Sequence, residues 1–455
     1  MHQHVRPSAV AAPVGRPAGS RDVVVVGGGI VGLAVAWRAT LAGLTVTVLD
    51  PRPGDGATRA AAGMLAPVTE ADFGEDAALR LHLAGAARWP GFVAELGDAT
   101  GADVGLRTAG TLTLAYDADD LALLRRVLAL HAAHGLASHE LTTTDARRRE
   151  PLLGPRLAGA AWAPADHAVD PRATHAALRC AVERAPGCAV VPRAATALDR
   201  DGAGRVVGVH DDAGDVHQAG AVVLAAGWET GALLADVPQV RVPTRPVKGQ
   251  TLRLDAGPDL ALEHVVRGLV QGRPVYVVPR DPVPDGPRAG HREIVVGATT
   301  EENPDDRRAT AGGVFALLRD ARALVPGLDE AALVDVTPRA RPASPDNLPL
   351  IGATGVPGLH VAAGHGRNGV LLAPLTADAV VAGLTGEHLD DDVAAALAAA
   401  RPDRFTASHP TAEPRVAPPS APAGAAEPRS ADRSAAGSVD DPGFATPART
   451  PATPR

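Results

Sequence analysis

A chain of 455 residues, 45% of them hydrophobic, is long enough for two domains, because single cores stop growing near roughly 250 to 300 residues. A formal net charge of -8, with no dominating Lys/Arg cluster, argues against a basic groove that tracks phosphates, so nucleic acid is not an expected partner. Cys180 and Cys188 stand eight positions apart with no ligand pattern around them, which argues against a disulfide framework or a zinc site and suits a reducing cytoplasm.

Residues 1–20 carry Pro7, Pro13 and Pro17 and no continuous apolar run, so a flexible leader is expected rather than a secretory signal. The longest apolar stretch, Val23 to Trp37, is too short to span a bilayer and is interrupted by Gly27, Gly28, Gly29 and Gly32, so no membrane segment is expected. Asp22 to Val26 reads as a strand buried on both faces, Ile30 to Ala42 as a helix stopped by Gly43, and Thr45 to Leu49 as a second strand ending at Asp50. Such a crossover implies parallel pairing. Helical spacing follows between Asp76 and Leu96, then a strand at Gly110 to Ala115 and a helix at Leu121 to Ala133, which open a second domain.

Arg172 to Arg184 reads as a helix, and Ala189 to Val191, Arg205 to Val209 and Ala221 to Leu224 read as strands, the last entering Ala225, Ala226 and Gly227. From Val242 to Thr300 short apolar runs (Gln250 to Leu254, Val275 to Val278, Ile294 to Val296) alternate with turn residues, as in a mainly antiparallel sheet, and Gly313 to Leu324 supplies a helix. Leu359 to Ala362 then reads as a strand leading into Gly364, and Gly369 to Leu384 as a helix. Residues 402–455 are Pro, Ala, Ser, Thr, Gly and charge, a composition that predicts a disordered tail. The expected fold is α/β. A Rossmann-like dinucleotide-binding domain (21–80, 150–235 and 337–395) is interleaved with an α+β substrate domain (81–149 and 236–336) built on a mainly antiparallel sheet.

Gly27, Gly29 and Gly32 form a G-x-G-x-x-G between the first strand and the helix opened by Ile30 and Val31, where the backbone can approach a pyrophosphate at a helix N-terminus. Asp50, followed by Pro51, lies eighteen residues past Gly32 at the end of the second strand, the place from which a carboxylate meets both ribose hydroxyls. A glycine-rich turn that only packs would not account for Asp50. The motif alone does not separate NAD from FAD. No second copy occurs, which disfavours a reductase carrying both on one chain.

Shortly after Asp50, Ala60-Ala61-Ala62-Gly63-Met64-Leu65-Ala66-Pro67 resembles the segment that follows the acidic residue in glycine oxidases of the thiamine-biosynthesis type, members of the D-amino acid oxidase superfamily. Further matches follow in the family's order: Asp166-His167 with Val169-Asp170, Pro246-Val247-Lys248-Gly249-Gln250, Tyr276-Val277-Val278-Pro279-Arg280, and Val296-Gly297-Ala298-Thr299-Thr300. Arg341-Pro342 then leads into Asn347-Leu348-Pro349-Leu350-Ile351-Gly352, and Gly364-His365-Gly366-Arg367-Asn368-Gly369 closes the series, which covers about Asp22 to Gly386.

The resemblance implies noncovalent FAD, since neither cysteine lies in the late loop that carries the flavin-linked cysteine of related sarcosine oxidases. To Gly27, Gly29, Ile30, Val31, Gly32, Asp50 and Pro51 it adds Thr58, Ala62, Gly63, Met64, Ala195 and Gly227 as cofactor-binding residues. It adds as well His365, Gly366, Arg367, Asn368, Gly369, Val370 and Leu371, where a glycine-rich turn and helix start approach the flavin. Arg341 matches the arginine that grips the amino acid carboxylate through its planar fork, and Tyr276, one of two tyrosines, matches a tyrosine lining the pocket beside it; these two are the expected catalytic and substrate-binding pair. Arg367 matches a second arginine near the flavin and is expected to bind substrate; no metal is expected.

Three residues depart from the family's pattern. Arg59 stands where a small or neutral residue is usual, and Arg339 and Ala343 replace small or glycine positions around Arg341. A lysine guides oxygen in the sarcosine oxidases, and Lys248, the only lysine of this chain, is the one residue available for that role, at a different place in the sequence.

The function implied is FAD-dependent oxidation of glycine, with sarcosine and small D-amino acids as further substrates, to the imine and 2-oxo acid. Dioxygen would be reduced to hydrogen peroxide, and the imine would supply thiazole synthesis for thiamine. A homo-oligomer in the cytoplasm, with no nucleic acid or membrane partner, completes the expectation. The alternatives are a D-amino acid or sarcosine dehydrogenase using another acceptor, and a flavin-binding subunit without turnover.

Overall fold

The computed structural model describes residues 20–302 and 306–406. Most of the expected leader, and the expected tail from residue 407, lie outside the described residues. The tail's first residues do not fit the expectation of disorder. Pro402–Phe405 form a 3-10 turn, because Arg404 reaches back to Asp346 at 2.8 Å and to the Leu348 and Pro349 carbonyls.

Valines 23 to 26 are buried on both faces because they run through the centre of the first sheet. Its strands lie in the order Leu350–Ala353, Leu359–Ala363, Val216–Leu224, Arg21–Val26, Val46–Leu49, Ala189–Val191. All pair in parallel except the first two, and Val206–Asp211 and Ala195–Arg200 extend the sheet antiparallel from Val216–Leu224. One face packs on the helices Ile30–Leu41, Pro171–Arg184 and Gly369–Thr385 through Leu33, Trp37, Leu178, Val182, Leu371 and Val380. Val24, Val26, Leu49, Leu224 and Val361 fill a second core on the other face.

Among the described residues, Gly366–Thr385, rather than Val23 to Trp37, is the stretch long and apolar enough to cross a membrane by composition. Its side chains from Val370 to Ala377 are buried against neighbouring helices, which accounts for its apolarity as core packing.

The second sheet has the order Ala332–Ala343, Arg245–Asp255, Glu293–Gly297, Arg273–Pro279, Val265–Val270, Thr111–Ala115, Gly159–Ala163, His139–Leu141. It is antiparallel apart from the pair Val265–Val270 and Thr111–Ala115. Strand alternation divides its residues cleanly. Leu252, Leu254, Val275, Val277, Ile294 and Val296 pack against the helix Ala311–Leu324. On the opposite face Val265, Val278, Val295 and Tyr276 meet Ala62, Met64 and Ala168 of the first layer. Strand Ala332–Ala343 does not stand out in the sequence because Pro338 and Pro342 interrupt its pattern; it is an edge strand, where proline is tolerated.

Candidate active site

The glycine motif is a tight strand-to-helix turn. A side chain at Gly27, which has φ 109°, would run into the Ala225 carbonyl, and one at Gly32 into the Gly27 carbonyl. Gly29 caps Ile30–Leu41 with no side-chain bond of its own; the Ile30 N–H instead donates to Thr58 Oγ1 at 3.0 Å. Val31 and Gly32, in the first helical turn, have N–H groups without an intrahelical acceptor, which is the anion-binding end of a helix. Asp50 is held in place as Oδ2 accepts from Gly28 N–H at 2.7 Å and Oδ1 from Arg52 N–H at 2.8 Å, with Pro51 exposed beside it. His175 Nε2 lies 2.8 Å from the Gly28 carbonyl.

Ala62, Gly63 and Met64 run along the face of the second sheet. Gly63, at φ 82°, leaves no room for a side chain because the Val169 carbonyl and Pro171 occupy the space, so the glycine serves packing as well as any ligand. Met64 pairs with Ala168, and Arg280 donates to the Ala62 carbonyl at 2.6 Å.

A second helix N-terminus comes alongside the first: Gly369 begins Gly369–Thr385, and a side chain there would stand 4.0 Å from Val31 Cγ2. Asn368 is its cap residue, Val370 follows in the first turn, and the Leu371 carbonyl accepts from Trp89 Nε1 at 3.0 Å. Gly366, at φ 55°, and Gly227, at φ 64°, both face open space. His365 turns its ring inward to Thr376 at 2.9 Å, and burial pushes its pKa down to about 4, so only its backbone is free to meet a ligand. Ala195 begins its strand opposite Asp211, four residues after Val191, whose carbonyl accepts from Asp50 N–H.

Arg267, Tyr276, Gly297, Thr251 and Thr337 lie in register across five neighbouring strands. The Tyr276 ring fills the space over Gly297, and the Arg341 guanidinium the space over Gly249. Arg341 donates to the Thr299 carbonyl at 3.1 Å, and among the described residues it has no carboxylate partner. Burial raises the Tyr276 hydroxyl above the ordinary tyrosine range although the nearby Arg341 charge opposes it, so the phenol stays neutral and able to donate.

The two expected arginines therefore differ. Arg367 is 47% exposed, and its Nε donates to Glu70 at 2.9 Å, with Glu75 at 3.7 Å. Arg341, unlike Arg367, has no carboxylate partner among the described residues.

Sequence reading does not single out Glu70, which is nearly buried between Arg267 at 2.8 Å and Arg367. Burial would raise its pKa, but the two arginines outweigh it and hold the carboxyl below its usual range. Asp166 belongs to a family match without an assigned role. Its carboxylate accepts from Val68 N–H and Thr69 N–H, both at 2.9 Å, and from Thr69 Oγ1, which fixes the loop that carries Glu70; burial raises its pKa to about 6.

The three departures from the family's pattern have different surroundings. Arg59 is exposed, Ala343 sits at the strand end opposite Arg245, and Arg339 is turned onto Asp55. Lys248, on the opposite side of its strand from Gly249, is tied to Asp306 at 2.5 Å and Glu301 at 3.3 Å.

Two helix N-termini meeting over a parallel sheet, a fixed carboxylate at the end of the second strand, and an open arginine on a facing antiparallel sheet define a dinucleotide-dependent oxidoreductase of two interleaved layers. The glycine cradle and the orphan amides fit FAD, which Gly27, Gly29, Val31, Gly32 and Asp50 would hold on one side and Ala62 to Met64 and Gly366 to Leu371 on the other. The chain belongs to the FAD dependent oxidoreductase (DAO) family, whose model matches residues 22–382, and FAD is its cofactor.

Among its relatives are a glycine oxidase from Geobacillus kaustophilus, 34% identical over 78% of this chain and 90% of that protein, and the bifunctional protein ThiO/ThiG of a Nostoc species, 33% identical over 82% of this chain. The chain spans about half, 54%, of the bifunctional relative. The crystal structure of the Geobacillus glycine oxidase superposes with a TM-score of 0.76 at 31% identity, covering 85% of this chain and 99% of that one.

Proposed function

We propose that this chain is a glycine oxidase, converting glycine to its imine and then, with water, to the 2-oxo acid and ammonia, while dioxygen is reduced to hydrogen peroxide. Sarcosine and small D-amino acids are further candidate substrates. The observation that carries the proposal is the open Arg341 guanidinium beside Tyr276, on the sheet face that meets Ala62 to Met64.

FAD, when bound, supplies the acceptor for one hydride equivalent, which carries both electrons of the oxidation. Arg341 would hold the substrate carboxylate through two N–H donors. Tyr276, kept neutral by burial, would donate to the same carboxylate and fix the rotation of the amino acid. The work left to the protein is placement and exclusion of water, because a neutral amino nitrogen stabilises the cation that develops at the adjacent carbon. Glu70 and Glu75 balance the charges of Arg267 and Arg367, whereas Arg341 has no carboxylate partner among the described residues and would face the substrate's carboxylate.

In the proposed setting the enzyme works in the cytoplasm as a homo-oligomer and supplies thiazole synthesis in thiamine biosynthesis, a role supported by the likeness to bifunctional protein ThiO/ThiG. The test is an anaerobic absorbance titration of the flavin-loaded protein with glycine, sarcosine and D-alanine, followed by air. Bleaching by glycine with rapid recolouring and peroxide is expected. Bleaching without recolouring would make the protein a dehydrogenase, and no bleaching by any of the three would overturn the substrate class.

A further inference from the structure

Arg339 is one of the residues that depart from the family's pattern, and its side chain crosses from the second sheet to the first layer. It lies on strand Ala332–Ala343, two residues before Arg341, and is 13% exposed. Its Nε donates to the Asp55 carbonyl at 2.6 Å and its Nη2 to Asp55 Oδ1, also at 2.6 Å, so one guanidinium grips both the backbone and the carboxylate of a single residue. Arg307 donates to the other carboxylate oxygen at 2.7 Å.

Asp55 sits at the middle of the loop between Asp50 and Thr58. At one end of that loop Asp50 fixes the Gly28 amide, and at the other Thr58 takes the Ile30 N–H. Between them, a side chain at Gly28 would stand 3.1 Å from Pro53 Cβ, and Gly54 packs on the ring of His175, which itself reaches the Gly28 carbonyl. The loop thus forms one wall of the glycine turn, and nothing regular supports it beyond the single helical turn Ala57–Ala60.

We propose that Arg339 is a positioning residue for the cofactor: acting through Asp55, it fastens the Asp50–Thr58 loop to the substrate-side sheet, so that FAD retention depends on a side chain carried by the second sheet. This rests on the reading of Asp50 and the glycine turn as the FAD site. Arg339 and Arg341 share one strand and one face, so the tie to Asp55 joins the strand of the proposed carboxylate ligand to the loop of the cofactor site.

The test measures FAD dissociation constants of refolded apoprotein by flavin fluorescence for Arg339→Met, Asp55→Asn, the double variant and Asp50→Ala, with the thermal midpoint of each apoprotein. Either single change is expected to weaken FAD binding about tenfold, and the double variant to fall short of the product of the two, since both act on the Arg339–Asp55 contact. A lowered thermal midpoint with an unchanged dissociation constant in Arg339→Met and Asp55→Asn would make the pair a structural tie and overturn the proposal. If Asp50→Ala weakens FAD while Arg339→Met does not, the positioning role of Arg339 fails alone; if Asp50→Ala also leaves the affinity unchanged, the cofactor-site reading fails with it. Should Arg339→Met not fold, Asp55→Asn reads the same contact from the loop side.

Discussion

The guanidinium of Arg341 lies over Gly249 of the neighbouring strand, in the space that any side chain at position 249 would need. Gly249→Ala is therefore expected to push the fork off its position, raising KM for glycine about tenfold or more and costing about 1 to 3 kcal/mol of stability through overpacking. Arg341→Ala removes the fork outright and should lose about 2 to 5 kcal/mol of substrate interaction. Steady-state kinetics and urea unfolding of both variants check this pair, and a normal KM in either would remove Arg341 from the carboxylate site.

Tyr276→Phe keeps the ring over Gly297 and deletes the hydroxyl. The expected loss is about 1.5 to 3 kcal/mol in kcat/KM, the range for a hydrogen bond to a charged group, with unchanged thermal stability. Because burial holds the phenol above the ordinary tyrosine range, wild-type and variant should show the same pH dependence below pH 10. A rate limb in that range that disappears in Tyr276→Phe would mean that the hydroxyl ionises during turnover.

His365 makes acid sensitivity a property of the fold. Burial depresses its pKa from 6.5 to about 4, so the unfolded chain takes up a proton in a pH range where the folded one does not. The stability this represents is full above pH 6.5 and is lost as the pH falls towards 4, by roughly 3 kcal/mol, since a tenfold difference in proton affinity between the two states is worth about 1.4 kcal/mol. His82, also depressed to about 4, acts in the same direction. Chemical denaturation of wild type and His365→Gln between pH 8 and pH 4.5 should show a flatter curve for the variant; parallel curves would mean that His365 titrates normally.

What the sequence made legible was local. The glycine turn, Asp50 and the strand-helix-strand unit depend on residues within thirty positions of one another, and periodicity sufficed to place them. The charge pairing of the site depends on register between distant segments. Glu70 meets Arg267 across 197 positions and Asp55 meets Arg339 across 284, and no spacing rule forecasts such partners. The same gap explains Arg367. Its family match is visible in the sequence, whereas the carboxylate that engages it lies 297 residues away.

Lys248 shows how one residue's role changes once its surroundings are known. Its side chain is 1% exposed and ends between Asp306 and Glu301, while Glu301 also accepts from Thr299 Oγ1 at 2.7 Å and Gln250 Nε2 at 2.7 Å. That arrangement makes the ammonium an anchor for the segment whose Thr299 carbonyl orients Arg341, and places it on the side of the strand away from Gly249 and the pocket. Lys248→Met should cost about 1 to 3 kcal/mol, less than a fully buried pair because both carboxylates keep some contact with water. It should also raise KM for glycine several-fold while the reduced enzyme reoxidises in air at the wild-type rate. Stopped-flow mixing of the reduced protein with oxygen decides the matter. A tenfold slower reoxidation in a variant of normal stability would return Lys248 to the role of guiding oxygen, and an unchanged rate with a raised KM would fix it as an anchor for Thr299.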